Sequence, residues 1–325
     1  MVELHNTWNI IDSSKIDTFK TCPRKFFYEY VLGWRSETPN HDLIFGEAWH
    51  RAREHQLLNG YNDIQGAYEK FINYYREYFS PETDELYLPK VPATVLLALQ
   101  KFAEERFMDL EDNELLYTEI SGSVPIAEDK VIYYRMDSVL RSKITGKIFS
   151  WDHKSAKKFN KQWSEKFHLS TQNGTYTHCM YCMYPIEEVA GLEFCGTAFQ
   201  HLKRASQGRP AGYHVDFLRV PAFKTPDQMS TWIWNVNVVY DMIMDEFEYL
   251  SDCKEGDQVL ESFPMNTTSC MNYFGCQYHD FCLSWQNPLQ YANEPPLGFK
   301  QEFWDPTAIK TTNKINHNFK PIKES

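Results

Sequence analysis

At 325 residues, 42% hydrophobic and 24% charged, the chain can bury a sizeable core, and its composition excludes a disordered, collagen-like or low-complexity protein. No apolar run approaches the roughly 18 residues of a membrane helix, and the opening MVELHNTW lacks a basic region followed by an apolar stretch, so the chain reads as soluble and cytoplasmic with no membrane partner. A formal net charge of -11 argues on its face against a nucleic-acid binder. Local charge differs: from 150 to 170, Lys154, Lys157, Lys158, Lys161 and Lys166 face only Asp152 and Glu165, and from 13 to 35, Lys15, Lys20, Arg24, Lys25 and Arg35 face Asp17 and Glu29.

In chain order, Ser13 or Ser14 can cap a short helix, and Pro23 suits the first turn of a second one through KFFYEYVLGW, which leaves Cys22 at their joint. Helical periodicity continues over about 43–57, 63–79 and 92–110. Strand-like runs at about 115–121, 131–140 and 147–152, rich in Val, Ile, Tyr and Phe, read as an antiparallel meander with turns at AED and ITGK. A helix over about 163–183 leads to a strand near 193–201, a β-α-β step on one sheet. A further strand at 211–220 and a long helix at 227–252 follow, then a Pro-, Asn- and Cys-rich segment from Ser262. No internal repeat is visible. Because the chemically suggestive residues span both ends, the chain reads as one domain: a helical block (13–110), a sheet core (111–220), a long helix with a cysteine segment (221–285) and a tail (286–325).

Asp137 closes the run VIYYRMD, and Asp152 with Lys154 ends KIFSWDHK, so two neighbouring strands each deliver an acid. Mg²⁺ keeps several waters and takes one or two carboxylates beside phosphate oxygens, which two such acids satisfy. Lys154, two residues beyond Asp152, shares its strand face, where an ammonium can orient a water and steady charge on phosphorus oxygens. A lone Asp-x-Lys is ordinarily just a surface strand end. His50 by itself is ordinarily a hydrogen-bonded helix residue, and Tyr176 ordinarily core packing.

The eight cysteines stand at 22, 179, 182, 195, 253, 270, 276 and 282, and without an export signal metal binding is favoured over a disulfide framework. Cys22 plus Cys270, Cys276 and Cys282 supply four thiolates, enough for a [4Fe-4S] cluster or a tetrahedral Zn²⁺, between which the spacing does not decide. Cys179 and Cys182 form a C-x-x-C inside an apolar helix and read as core; Cys195 and Cys253 read as ordinary thiols.

Gly46-Glu-Ala-Trp-His50, then Asp137 after a strand, then Asp152-His-Lys154, then Gln172-Asn-Gly-Thr-Tyr176 is an order that resembles the RecB-like branch of the PD-(D/E)XK nucleases, including CRISPR-associated RecB-like exonucleases, AddB-type nuclease domains and phage exonucleases. The resemblance spans about residues 13–285 and implies a restriction-endonuclease-like α/β fold, a mixed sheet flanked by helices, with the helical N-terminal block and the cysteine segment joined by a metal cluster. It implies Mg²⁺ or Mn²⁺ on His50, Asp137 and Asp152, with the His153 carbonyl and Glu119 as further ligands, Lys154 as the catalytic lysine, and Gln172 and Tyr176 facing DNA. Lys157 and Lys158 then line the DNA path. It also implies [4Fe-4S] on Cys22, Cys270, Cys276 and Cys282, and exonuclease action on single-stranded DNA or duplex ends in a bacterial or phage-infected cell, beside recombination, repair or phage-replication partners. Where the family often carries Gly two residues before the first Asp, this chain has Arg135. Two other readings stay open: a non-catalytic iron-sulfur DNA-binding or adaptor subunit, and a zinc-stapled endonuclease.

Overall fold

Six α-helices among the described residues begin where a short polar side chain accepts one of the backbone N–H groups that a helix leaves without an internal partner. In the computed structural model, Asp12 accepts from Lys15 N ahead of α1 (Ser13–Thr21), Asn40 from Leu43 N ahead of α3 (His41–Asn59), and Asp63 from Gly66 N ahead of α4 (Ile64–Tyr75). The cap expected at Ser13 or Ser14 thus falls one residue earlier. Between these lie α2 (Pro23–Phe26), which opens into a π-turn through Val31, and β1 (Trp34–Ser36). There follow α5 (Pro92–Arg106), α6 (Met108–Asp112), β2 (Asn113–Pro125), β3 (Val131–Ser142) and β4 (Ile148–Ala156). Next come α7 (Lys161–Glu165), α8 (Thr171–Met183), β5 (Val189–Leu202), β6 (Gly212–Ala222) and α9 (Pro226–Asp252), whose Thr225 and Gln228 form a capping box. Last are α10 (His279–Ser284), β7 (Phe299–Gln301) and the two-residue β8 (Asn313–Lys314).

The structure describes residues 3–206, 208–272, 275–308 and 313–314, so part of the expected tail lies outside the described residues. The single helix expected over 163–183 is broken into α7 and α8, because Ser170 accepts from Asn173 N and starts a new helix after the turn at 166–169.

The chain divides into two compact units. The first takes, of the described residues, those within 3–38, 122–134 and 225–308. Its interior is aromatic: Phe26 stacks on Phe263 at 5.8 Å, Tyr28 on Trp34 at 5.6 Å and on Tyr278 at 5.1 Å. Buried Arg24 donates Nε to Phe263 O at 2.9 Å, Asn266 Nδ2 donates to Thr21 O at 2.9 Å, and Tyr278 OH donates to Trp34 O at 2.6 Å. Strand β1 pairs antiparallel with β7.

The second unit takes, of the described residues, those within 39–121, 135–224 and 313–314. Its mixed sheet runs β6-β5-β4-β3-β2, with β8 on the β2 edge; β3 and β4 are antiparallel, β4 and β5 parallel, β5 and β6 antiparallel. The parallel pair is the expected β-α-β step. Helices cover both faces: Phe194 on β5 stacks on Phe167 at 4.2 Å just ahead of α8, while its neighbour Cys195, pointing the other way, packs with Phe102 of α5 and Trp151 of β4. A larger cluster joins α3, α4 and α5 to β5, with Phe199 held edge-on by Phe45 at 4.9 Å and by Trp49 at 5.3 Å.

Candidate active site

The β3–β4 ladder pairs Arg141 with Ile148 through Ser138 with Trp151, and the next residues along are Asp137 and Asp152. Both acids therefore lie within their strands rather than at the ends, where the sequence suggested them, because β3 continues back to Val131 and β4 runs on to Ala156 against β5. What the acids mark is the place where β3 and β4 part. There the His153 N–H donates not to a β3 carbonyl but to Asp137 Oδ2 at 2.8 Å.

His50, on α3, closes on the same oxygen, with Nδ1 2.9 Å from Asp137 Oδ2. Lys154 Nζ lies 2.7 Å from Asp152 Oδ2. From α8, Gln172 Nε2 donates to Asp152 Oδ1 at 3.1 Å and to Tyr176 OH at 3.0 Å. Four elements thus bring His50, Asp137, Asp152, Lys154, Gln172 and Tyr176 together.

The electrostatics follow from a buried acid, Asp152, and a partly buried one, Asp137, between two cations. Burial works to raise the Asp137 carboxyl, but the His50 ring, its hydrogen bond, and Lys154 outweigh it and hold Asp137 well below the usual carboxylate range. Burial likewise pushes His50 down, but Asp137 and then Asp152 overcome it and lift its pKa to about 9. Asp152, 1% exposed, is raised, chiefly by burial and despite Lys154. Glu119 is raised to about 7 by burial and by Asp137, against the pull of Arg135, whose Nε donates to it. Glu119 sits on β2 at φ 47°, a left-handed conformation uncommon for a residue with a side chain, and there the in–out alternation breaks, with Thr118, Glu119 and Ile120 all buried.

A hard divalent cation fits the donor types present. Asp152 Oδ2, although close to Lys154 Nζ, makes no hydrogen bond of good geometry, which leaves a buried carboxylate oxygen short of a donor. The doubled positive charge of such an ion would substitute for the cationic His50 and Lys154 that balance the acids. Among the described residues no group of three or more His, Cys, Asp or Glu side chains is posed to hold a metal ion, at these acids or at the cysteines.

The remaining expected site residues divide. Lys157 and Lys158 are exposed on the segment after β4. The His153 side chain is buried on the sheet face opposite Asp152, and its Nε2 has no hydrogen-bond partner. Behind it stands a residue that sequence reading missed: Arg53, fully buried, with its guanidinium 3.5 Å from the Phe102 ring centre and its charge helping to keep the His153 ring neutral after burial. The spacing Trp49, Ala52, Arg53, Gln56 carried the signal, a helical face on which an arginine holds an apolar position. In the first unit, Cys22 caps the junction of α1 and α2 as expected, and its Sγ accepts from Asn266 N at 3.4 Å. Burial raises the Cys276 and Cys282 thiols; Cys22 and Cys270 raise Cys276 further, and Cys22 and Cys276 raise Cys282 further. Cys179 and Cys195 are buried free thiols, while Cys182 is exposed.

No curated protein matches the chain. A solved structure described as the crystal structure of SSO0001 aligns with 55% of this chain and 74% of its own at 13% identity and a TM-score of 0.22, too loose a likeness to carry an argument. No helix among the described residues is long and apolar enough to cross a membrane. The profile of the PD-(D/E)XK nuclease superfamily matches residues 13–282, which takes in every element that meets at Asp137 and Asp152, and the chain belongs to that superfamily.

Proposed function

We propose that the protein is a metal-dependent DNA exonuclease acting on single strands or duplex ends, with Mg²⁺ or Mn²⁺ held by His50, Asp137 and Asp152 and with Glu119 and the His153 carbonyl as further ligands. The observation that carries this reading is the convergence of His50, Asp137, Asp152 and Lys154, a hundred residues apart at the extremes, on the gap between β3 and β4. A bound ion would supply a water of lowered pKa and a counter-charge for the phosphate. Lys154, freed from Asp152, donates to the attacking water or a non-bridging oxygen. Gln172 fixes the Asp152 carboxylate and, with Tyr176, reaches toward the strand; Lys157 and Lys158 hold its phosphates. Both units serve one nuclease domain, in which Cys22, Cys270, Cys276 and Cys282 bind a [4Fe-4S] cluster, a reading supported by the four thiols the sequence supplies and by the hydrogen bond from Asn266 N that ties Cys22 to the C-terminal segment.

The test is digestion of 5′- and 3′-labelled single-stranded and duplex DNA with Mg²⁺ or Mn²⁺ by the wild type, Asp152→Ala and Lys154→Ala. Asp152→Ala should abolish cleavage and Lys154→Ala lower it by about 10²–10³-fold. Undiminished cleavage by both variants would mean that the chemistry lies elsewhere, and binding without cleavage by the wild type would favour an adaptor. A brown protein with broad visible absorbance after purification without air supports iron; a colourless one with stoichiometric zinc sinks that part.

A further inference from the structure

Beside Lys154 the sheet has a glycine. Lys154 on β4 pairs with Gly196 on β5, and any Cβ at Gly196 would collide with the rings of Trp163 and Phe159. That missing side chain lets the segment after β4 fold back onto the sheet directly next to Lys154. The rings then form a ladder: Phe159 to Trp163 at 4.7 Å, Trp163 to Phe167 at 4.8 Å, and Phe167 to Phe194 at 4.2 Å. Phe159 and Trp163 remain partly exposed.

Two ammonium groups straddle the ladder's inner end. Lys154 Nζ lies 5.9 Å from the Phe194 ring centre, and Lys166 Nζ lies 4.9 Å from that of Phe167 and 5.6 Å from that of Trp163. Lys166 has no ion-pair partner among the described residues, and after burial the charges that bear on it are those of Lys154 and Lys90, both positive. Lys90 is already held by Asp42 at 2.8 Å and Ser155 at 3.2 Å. An exposed lysine that faces like charges and no acid is poised for an anion, and half-exposed rings beside it suit a flat partner.

We infer that Phe159, Trp163 and Lys166 form a platform for one nucleotide of a single strand, next to the scissile phosphate, with its base on Trp163 and its phosphate on Lys166. The inference rests on the nuclease reading and deepens it. Sequence-tolerant stacking plus one phosphate contact selects unpaired polynucleotide over duplex, whose bases have no free face.

The test is the affinity of full-length protein for fluorescein-labelled oligothymidylate, by anisotropy in EDTA across a salt series, with the same preparations assayed for cleavage in Mn²⁺. Trp163→Ala should weaken binding about tenfold or more, Trp163→Phe should largely restore it, and Lys166→Ala should weaken it and reduce the salt slope by about 0.7. Folding of each variant is checked by circular dichroism. Affinities of folded Trp163→Ala and Lys166→Ala equal to wild type overturn the platform, even where Asp152→Ala abolishes cleavage and so upholds the nuclease. Equal loss in Trp163→Ala and Trp163→Phe also overturns it. Platform-dependent binding by a wild type that cleaves nothing would keep the platform and remove the nuclease.

Discussion

Asp137 and Asp152 are neighbours across diverging strands, and the cations that face them offset the cost of withdrawing two carboxylates from water. His50 makes the pairing sensitive to pH. Its pKa of about 9 exceeds the ordinary histidine value of about 6.5, so its proton contributes stability that is fully present below about pH 6.5 and is lost as pH rises through about 9. In chelator, the melting temperature should fall over that window, and His50→Gln should flatten the profile. A divalent ion that takes His50 must displace the same proton, so Mn²⁺ affinity should rise by up to about tenfold per pH unit between 7 and 9. Calorimetric titration at three pH values checks this, and a pH-independent affinity would remove His50 from the ligand set.

At the scale of elements, β4 does two jobs because its faces differ. Asp152 and Lys154 point to the side that α8 covers, while Trp151 and His153 point to the side of α3 and α5. On that second side Phe199 is wholly buried against Phe45 and Trp49, and Phe199→Ala should cost about 3–5 kcal/mol in denaturant unfolding. Gly196 makes the opposite kind of prediction. Gly196→Ala adds a methyl where two rings already lie, so it should push the 157–167 segment off the sheet and weaken oligonucleotide binding about as much as Trp163→Ala. Binding unchanged by Gly196→Ala would show that the segment does not need that seat.

The first unit is assembled from segments far apart in sequence, and Cys22 and Cys270 in it are 248 positions apart. Hydrogen bonds from Arg24, Asn266 and Tyr278 and the stacked rings already hold those ends. A metal cluster across the cysteines would add the closure of a loop spanning most of the chain, about 5 kcal/mol in the chain-entropy view. Cys270→Ser, or chelation of the wild type, should therefore lower the melting temperature by several degrees; a chain whose melting ignores both holds no cluster.

How much of this was legible in the sequence depends on the range of the cause. Helix caps, strand runs and the order His50, Asp137, Asp152, Lys154, Gln172, Tyr176 are local or ordered along the chain, and the superfamily could be read from them. The break between α7 and α8 was missed because apolar residues continue across it and only Ser170 marks it. Tertiary structure alone decided that Asp137 and Asp152 lie at a parting of strands, that Arg135 serves Glu119, that Arg53 stands buried behind His153, and that Gly196 seats Trp163 next to Lys154. Each depends on which residues from distant segments come to lie opposite each other. Strand register and helix docking, which minimise the free energy of the whole core, fix those partners, and no window of sequence contains them.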